Sequence, residues 1–337
     1  MDLQYHPLDL TLRMPFTIAR GTQTVASNVR VELCDGDLTG LGEAAPSEHY
    51  GEMQATVCAF LDELSPRLDR RFPITVLHEM MRGVAYLNPA AKAAVDMAAY
   101  DLLGKELNAP IYQLLGLDPD RAAATSFTIG IDTPDVMAQK AADAAAYPIL
   151  KVKVGTPNDL ENLQAIRGKR PDATIRVDAN EAWTPKEAVD RITQLLPYDI
   201  EFVEQPVPAT NLQGLAHVRD SVPVPVIADE SCIVPSDVPR VAPYVDGINI
   251  KLMKCGGIYP ALQMIHLARG HNLRVMMGCM IESSISITAA AHLSPLLDYA
   301  DLDGHLLVAD DPYRGVAVEN GVLVLPNGPG LGVTERR

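Results

Sequence analysis

The chain has 337 residues, 47% of them hydrophobic and 21% charged, which suits a barrel-sized domain with a large core and a smaller second domain. The formal net charge of −15 offers no basic stripe to neutralise phosphates, so neither nucleic acid nor an anionic membrane is expected as a partner. The five cysteines are scattered and no apolar run approaches the ~20 residues of a membrane span, so we expect reduced thiols and a cytoplasmic protein.

The first 120 residues predict a small α+β domain. Apolar and polar residues alternate as in antiparallel strands in two stretches, 9–18 and 28–34. The Gly-Leu-Gly segment at 40–42 does not open a helix within a βαβ unit, so it indicates a hairpin turn and not a phosphate loop. An amphipathic helix is predicted to begin at Pro89 and to end at Gly104, because its apolar residues recur at helical spacing.

From about residue 121, short β-rich runs alternate with helix-like segments. The predicted strands are 125–129, 149–154, 174–177, 201–203, 226–228, 247–252, 274–277 and 299–302. Eight strands separated by helices imply an α/β parallel sheet that closes into a barrel. An open doubly wound sheet is the alternative, but no GxGxxG follows the first strand. We predict a barrel over 121–310 and an α+β capping domain formed by 1–120 and completed by the C-terminal tail, 311–337.

The second predicted strand carries Lys151 and Lys153 on one face and aliphatic residues on the other. Two buried ammonium groups require compensating negative charge; the alternative is an edge strand with solvated lysines. Polar residues end the following strands, one βα unit apart, at the edge where barrel active sites form: Asp178, Glu204, Asp229 and Lys251. A single acid there is often a helix N-cap, but three on consecutive strands, flanked by lysines, indicate a site.

The three carboxylates predict a metal between two bases. They are hard oxygen ligands, and the eight histidines show no ligand-like cluster, which favours Mg²⁺ or Mn²⁺ over zinc. The second and sixth strands lie on opposite sides of the barrel, so Lys153 and Lys251 are expected to face each other. Two bases on opposite faces of one carbon are what a 1,1-proton transfer requires. We expect burial and the neighbouring ammonium of Lys151 to lower the lysine pKa toward neutrality.

In order, Lys-Val-Lys, Asp-Ala-Asn, Glu-Gln-Pro, Ala-Asp-Glu-Ser and Asn-Ile-Lys-Leu-Met-Lys-x-Gly-Gly resemble the enolase superfamily, muconate-lactonizing subgroup, over nearly the whole chain. The resemblance implies a modified (β/α)7β barrel, a variant of the TIM barrel, with an N-terminal capping domain. It also implies the metal ligands and bases: Mg²⁺ on Asp178, Glu204 and Asp229, and proton transfer by Lys153 and Lys251.

The last predicted strand carries Asp301 and Asp303, two acids at i, i+2. This pair resembles the mark of dipeptide epimerases, in which it binds the α-ammonium group of the substrate; an acidic loop is the alternative. The segments 277–284 and 287–292 also resemble that family, which implies a substrate-binding role for Glu282. The substrates of muconate cycloisomerase, o-succinylbenzoate synthase and N-acylamino acid racemase have no ammonium group and give the aspartate pair no role.

We therefore expect an isomerase, a Mg²⁺-dependent dipeptide epimerase. The C-terminal carboxylate of an L,L-dipeptide would bind the metal, and its α-carbon would be inverted through an enediolate that Lys151 also stabilises. Muconate cycloisomerase and o-succinylbenzoate synthase remain alternatives within the subgroup. A barrel that binds a metal and a peptide without turnover is the alternative of another class.

Side-chain specificity is expected to lie in two loops of the capping domain, 15–25 and 46–53. Arg20 in the first loop either receives an acidic side chain of the substrate or is solvated. Lys254 does not match a catalytic position and is interpreted as a supporting or surface residue. A homo-oligomer is left open, because one sequence identifies no interface.

Overall fold

The computed structural model describes residues 1–336. The strands are β1 (Asp2–Ile18), β2 (Gly21–Asp35), β3 (Leu38–Ala44), β4 (Phe127–Ile129), β5 (Ile149–Lys153), β6 (Thr174–Asp178), β7 (Ile200–Glu204), β8 (Val226–Ala228), β9 (Gly247–Ile250), β10 (Arg274–Met277), β11 (Tyr299–Ala300), β12 (Tyr313–Arg314), β13 (Ala317–Glu319), β14 (Val322–Val324) and β15 (Thr334–Glu335). The helices are α1 (Gln54–Leu64), α2 (Ile74–Val84), α3 (Pro89–Glu106), α4 (Ile111–Leu114), α5 (Pro134–Asp143), α6 (Asp159–Lys169), α7 (Pro185–Leu195), α8 (Leu212–Ser221), α9 (Asp237–Val241), α10 (Leu252–Cys255), α11 (Ile258–Gly270) and α12 (Ser284–Ala291).

Strands β4 to β11 form one parallel sheet in chain order. A parallel bridge between Thr125 and Ala300 joins the first strand to the last, so the sheet closes into a barrel. Helices cross over between successive strands, and no α-helix of the described chain follows β11 before β12. The predicted (β/α)7β barrel is therefore confirmed, and the open doubly wound sheet is wrong. Strands β5 and β9 lie on opposite sides of the barrel, with three strands between them in either direction.

The N-terminal strands β1, β2 and β3 form an antiparallel sheet against which α3 packs. The hairpin turn predicted at 40–42 is wrong, because these residues lie within β3. A Cβ atom at Gly40 would collide with the carbonyl oxygen of Ala98, and one at Gly42 with that of Ala94. These glycines are needed because the backbone of α3 lies directly on the strand.

Helix α3 begins at Pro89 as predicted but is not amphipathic. Most of its residues are buried on every face, because it lies between the N-terminal sheet and the barrel helices α10 and α11. It also continues through Gly104 to Glu106. A Cβ at Gly104 would meet the backbone of Gly330, so this glycine permits a close crossing of the C-terminal segment and does not end the helix.

The C-terminal segment contacts both parts of the molecule. Leu331 N donates to Asp101 Oδ1 in α3 at 2.7 Å, and Val316 N donates to Thr288 Oγ1 in α12 at 2.9 Å. The segment thus ties the buried helix of the N-terminal part to the last barrel helix.

The first predicted specificity loop is a hairpin tip. The register of β1 and β2 shifts between Thr11 and Phe16, and the strands then pair again as far as Ile18 and Gly21. Ile131 N donates to Thr17 O at 2.8 Å, which fixes the tip against the barrel. The second loop contains a single 3₁₀ turn at Glu48–Tyr50. No helix within residues 1–336 is long and apolar enough to cross a membrane.

Candidate active site

The three predicted carboxylates meet at one end of the barrel. Asp178 and Glu204 are the last residues of β6 and β7, and they are partners in the strand register. Asp229 directly follows β8. All three side chains are completely buried. Because the ends of parallel strands share one edge, consecutive strands place these charges side by side.

Each carboxylate is paired with at least one lysine. Lys153 Nζ lies 2.6 Å from Asp178 Oδ2, and Lys251 Nζ lies 2.8 Å from Asp229 Oδ2. Lys151 Nζ lies 3.1 Å from Asp178 Oδ2 and 2.7 Å from Glu204 Oε2. The lysines are thus buried in the barrel and not on an edge strand, and the compensating negative charge that the sequence required is present.

The ion pairs change the expected direction of the lysine pKa shift. Burial alone would lower the pKa of Lys251, but the surrounding acidic groups, Asp229 first among them, together outweigh it and hold that pKa well above the ordinary value. The pKa of Lys151 is also raised, because Asp178, Asp301 and Glu204 outweigh its burial. The expectation of a lowered pKa is therefore wrong for Lys251 in this structure, because it considered burial and the neighbouring cation but not the Asp229 carboxylate that Lys251 contacts.

The buried oxygens of this end of the barrel suit a hard cation. Glu204 Oε2 lies near Lys151 Nζ, as given above, but accepts no hydrogen bond of acceptable geometry. Asn180 Oδ1 and Glu230 Oε2 are likewise buried without a hydrogen-bond partner in residues 1–336. Burial, and then the Asp178 charge, raise the pKa of Glu204 to about 8. An all-oxygen set that includes buried acceptors without a hydrogen bond is the donor chemistry that Mg²⁺ and Mn²⁺ prefer.

Of the two interpretations of Lys254, the structure agrees with the supporting residue and not with the surface residue. It is 1% exposed, and its Nζ donates to Asp229 O at 2.7 Å and lies 2.5 Å from Asp229 Oδ1. It also donates to the carbonyl oxygens of Cys232 and Asn249 at 3.1 and 3.0 Å. With four oxygen atoms around its Nζ, Lys254 fixes the position of Asp229 from the barrel interior.

Asn249 is a residue that sequence reasoning missed. Its Nδ2 donates to Glu204 Oε1 at 2.7 Å, from β9 past β8 to β7. A signal was present, because Asn249 precedes Lys251 by two residues and strand periodicity places both on the interior face. The contact itself joins residues 45 apart in the chain, which no local pattern predicts.

The aspartate pair after β11 lies beside the lysines. Asp301 Oδ2 lies 2.7 Å from Lys151 Nζ, and its Oδ1 accepts from Ser126 Oγ at 2.6 Å. Asp303 Oδ2 accepts from Thr128 N at 2.6 Å, while its Oδ1 accepts no hydrogen bond in residues 1–336. Burial and the nearby Asp301 charge raise the pKa of Asp303 to about 7. Lys151 therefore pairs with the Asp301 carboxylate, and Asp303 retains Oδ1 as a free acceptor.

A cleft of about 710 Å³ opens above these side chains, between the barrel and the N-terminal part. We call its deep part the inner cleft; it is lined by Lys151, Lys153, Lys251, Asp301 and Asp303. The outer cleft is lined by the hairpin tip and the segment that follows β3, and its side chains include Phe16, Ile18, Arg20, Gln23, Val25, Glu48, Tyr50, Met53 and Leu307.

Arg20 reaches from the hairpin tip to the barrel rim and is not simply solvated. Its Nη1 lies 2.8 Å from Glu230 Oε1 and 3.4 Å from Glu181 Oε2, and it donates to Asn180 O at 3.2 Å. His49 Nε2 lies 3.3 Å from Glu181 Oε2. His49, Glu181 and Glu230 bring three potential ligand atoms within 4.8 Å of one another, a group with a single histidine that the sequence did not indicate.

Glu282 lies beside the cleft and not in it. It is 2% exposed, and its Oε1 accepts from Met280 N at 2.6 Å. Its Oε2 accepts from Ser286 Oγ, so one oxygen is bound by the loop before α12 and the other by the first turn of that helix. Among the residues that line the cleft, Met280 and Ile281 are present and Glu282 is not. The structure thus gives no contact through which the predicted substrate-binding role of Glu282 would act.

Two family models cover most of the chain. Residues 4–116 match the mandelate racemase / muconate lactonizing enzyme N-terminal domain, and residues 136–337 match the enolase C-terminal domain-like family.

Individual relatives match over nearly the full length. An L-Ala-D/L-Glu epimerase of Bacteroides thetaiotaomicron is 42% identical over 338 residues, which cover 99% of this chain and 88% of the relative. A crystal structure of a dipeptide epimerase from Enterococcus faecalis V583, complexed with Mg and L-Leu-L-Tyr, has 39% identity and a TM-score of 0.94, and 99% of each chain is covered. An N-succinyl Arg/Lys racemase from Bacillus cereus has 31% identity and a TM-score of 0.94, with 99% of this chain and 95% of that one covered. The family expected from the motifs is confirmed: the chain belongs to the mandelate racemase / muconate lactonizing enzyme group of the enolase superfamily.

Proposed function

We propose that this protein is a Mg²⁺-dependent dipeptide epimerase, which inverts the α-carbon of the C-terminal residue of an L,L-dipeptide. The observation that carries the proposal is the inner cleft: lysines from opposite strands, β5 and β9, line one cavity above three buried carboxylates. The dipeptide epimerases among the relatives support the same activity.

Asp178, Glu204 and Asp229 would hold the Mg²⁺ ion, for which Mn²⁺ is a possible substitute. A bound divalent ion supplies Lewis-acid stabilisation of the negative charge that develops on a substrate carboxylate. A lysine paired to a carboxylate keeps its proton, so a base role for Lys251 requires Asp229 to be neutralised by another cation, which its role as a metal ligand provides.

Lys153 and Lys251 would transfer the proton. One lysine removes it from the α-carbon and the other returns a proton to the opposite face, so the configuration inverts. Lys151 lies between Asp178, Glu204 and Asp301 and keeps its positive charge, which suits it to stabilise the negative charge on the substrate carboxylate and not to act as a base.

The aspartate pair distinguishes a dipeptide from an acylated amino acid. A free α-ammonium group would find an unpaired acceptor at Asp303 Oδ1, next to the charge of Asp301. The nitrogen of an N-succinyl amino acid is neutral and would leave a buried carboxylate unpaired, which is costly. The same argument stands against muconate cycloisomerase and o-succinylbenzoate synthase.

The test is incubation of small dipeptide libraries, L-Ala-L-X and L-X-L-Glu, in D₂O with Mg²⁺, followed by mass spectrometry and separation of diastereomers. We expect deuterium at the C-terminal α-carbon and growth of the L,D isomer. Absence of exchange on every dipeptide, with Mg²⁺ shown to bind, would contradict the proposal; turnover of N-succinyl amino acids alone would favour racemisation of those substrates.

The domain boundaries, the cellular compartment and the oligomeric state are proposed as follows. We propose that the catalytic barrel spans 121–310 and that 1–120 and 311–337 together form its cap. Five free cysteines suit a reducing compartment such as the cytoplasm. A homo-oligomer is possible, and size-exclusion chromatography with light scattering measures it directly.

A further inference from the structure

Arg20 is the only lysine or arginine among the described residues of the outer cleft, and its charge is already compensated. Two carboxylates, Glu230 and Glu181, and the carbonyl oxygen of Asn180 surround its Nη1. The Glu230 side chain is fully buried, and its second oxygen has no hydrogen-bond partner within residues 1–336. Withdrawal of Arg20 would leave a buried carboxylate without its partner, which is strongly unfavourable.

The loop that receives Arg20 is held rigidly. Asn180 and Glu181 both adopt left-handed φ angles, 44° and 70°, which non-glycine residues rarely do. Glu181 N donates to Gln205 O at 2.9 Å, and Glu181 Oε1 accepts from Ala209 N at 2.7 Å. Strained backbone of this kind persists where the surroundings enforce it, so the acceptors for Arg20 are built into the barrel rim and do not arise from chance surface contacts.

Polar and apolar side chains share the remaining surface of the outer cleft, and the apolar ones form a wall on both of its sides. Val25 on the hairpin tip is 44% exposed and Met53 on the other segment is 52% exposed, and both line the cleft. Half-buried Phe16 and Ile18 continue the wall on the hairpin side, and Leu307 continues it from the barrel. Single exposed apolar residues are ordinary, but several that line one cavity mark a binding surface.

We propose that Arg20 is a positioning residue that fastens the hairpin tip to the barrel rim through Glu230, and that the outer cleft selects dipeptides with uncharged, apolar side chains. This inference rests on the proposed epimerase function and narrows its substrate class. An acidic side chain would have to compete with Glu230 for Arg20 and would meet the further negative charge of Glu48, whereas an apolar side chain buries the surfaces of Val25 and Met53.

The experiment compares kcat/KM for L-Ala-L-Leu, L-Ala-L-Glu and L-Ala-L-Lys, and for the reversed series L-Leu-L-Ala, L-Glu-L-Ala and L-Lys-L-Ala. We expect leucine to exceed glutamate and lysine by about tenfold or more in at least one series, and neither charged residue to exceed leucine in the other. Preference for glutamate or lysine in either series overturns the inference while leaving epimerisation intact. No turnover of any dipeptide overturns the proposed function and, with it, this inference.

Two variant pairs separate positioning from side-chain recognition. Arg20→Gln is expected to lower kcat/KM for the Leu, Glu and Lys substrates by similar factors, with partial rescue in Arg20→Lys. Loss confined to the Glu substrate would show that Arg20 binds the acidic side chain.

Val25→Arg, which adds an unpaired cation to the outer cleft, is expected to raise the ratio of kcat/KM for the Glu substrate to that for the Leu substrate by about tenfold over the matched control Val25→Gln. An unchanged ratio would show that substrate side chains do not reach this surface. Circular dichroism melting curves check that each variant is folded.

Discussion

The inner and outer parts of the cleft differ in how their charges are held. In the inner cleft, Lys151, Lys153 and Lys251 are at most 8% exposed, and each is paired with a buried carboxylate at a strand end of one closed barrel. The outer cleft is formed by a hairpin tip and a short irregular segment, and its side chains are mostly exposed. The difference suggests that the rigid barrel carries the catalytic groups and that the cap determines which substrate binds. Residues of the cap can change at little cost in stability.

The largest effect is expected from removing the metal or one of its ligands. Chelation should abolish activity and added Mg²⁺ should restore it, and Glu204→Gln should lower kcat by about 1,000-fold, because charge stabilisation at the reacting carboxylate is lost. Glu201→Gln is a matched control on the same strand, since Glu201 pairs with Arg176 and is half-buried. Calorimetric titration with Mg²⁺ should show weaker binding for Glu204→Gln only.

A smaller effect is expected at Asp303, to which we assign binding of the substrate ammonium group. Asp303→Asn should lower kcat/KM on dipeptides by about 100-fold, mainly through KM, because a buried charge pair is lost. Since the pKa of Asp303 is raised to about 7, its ionised form is gained as the pH rises. The wild-type KM should therefore fall as the pH rises through about 7, and the variant should lack this change.

An N-acetylated dipeptide is the matched control for that prediction. Its nitrogen is neutral and would leave the Asp303 carboxylate unpaired, so Asp303→Asn should not lower its kcat/KM, in contrast to that of free dipeptides. Unchanged kcat/KM of Asp303→Asn on free dipeptides would show that the ammonium group binds elsewhere.

The third prediction concerns stability and not catalysis. Lys254→Met should lower the free energy of unfolding by about 3 kcal/mol, because Asp229 Oδ1 and three carbonyl oxygens lose their common donor in the barrel interior. Lys140→Met removes a partly exposed pair with Asp132 and should cost less than about 1 kcal/mol. Urea denaturation of both variants measures the difference, and equal losses would contradict the role given to Lys254.

The smallest effect is expected in the outer cleft. Met53→Ala removes a half-exposed side chain and should change the free energy of unfolding by no more than about 0.5 kcal/mol. It should still lower kcat/KM for apolar dipeptides several-fold, since part of the apolar wall is lost. A loss of stability as large as that of Lys254→Met would contradict the contrast between the two parts of the cleft.

The inner cleft could be predicted because it follows from strand periodicity and repeat length. Residues that end successive βα units meet at one edge, so Asp178, Glu204 and Asp229 were identifiable from their spacing alone. The resemblance added the aspartate pair. The direction of the lysine pKa shifts was not predictable in the same way, because it depends on which carboxylate each ammonium group touches, and that requires side-chain positions.

The outer cleft depends on contacts between distant residues, which have no local signature. Arg20 and Glu230 are 210 residues apart, so the sequence around neither residue predicts their ion pair. Gly40 shows the same limit: it resembles a turn residue locally, and only the closeness of Ala98 in α3 explains why it lies within a strand. Lys254, too, is buried because it pairs with Asp229, a contact that the residues around Lys254 in the sequence do not indicate.

The most direct test of the central claim, two bases on opposite faces of one carbon, is α-proton exchange in D₂O by Lys153→Ala and Lys251→Ala, with the exposed-lysine variant Lys186→Ala as control. Each active-site variant should lose epimerisation by at least about 1,000-fold. One of them should still exchange the α-proton of the L,L-dipeptide and the other that of the L,D-dipeptide, because each keeps the base on one face. If either variant epimerises at nearly the wild-type rate, or if both exchange the same isomer, the two-base account is contradicted.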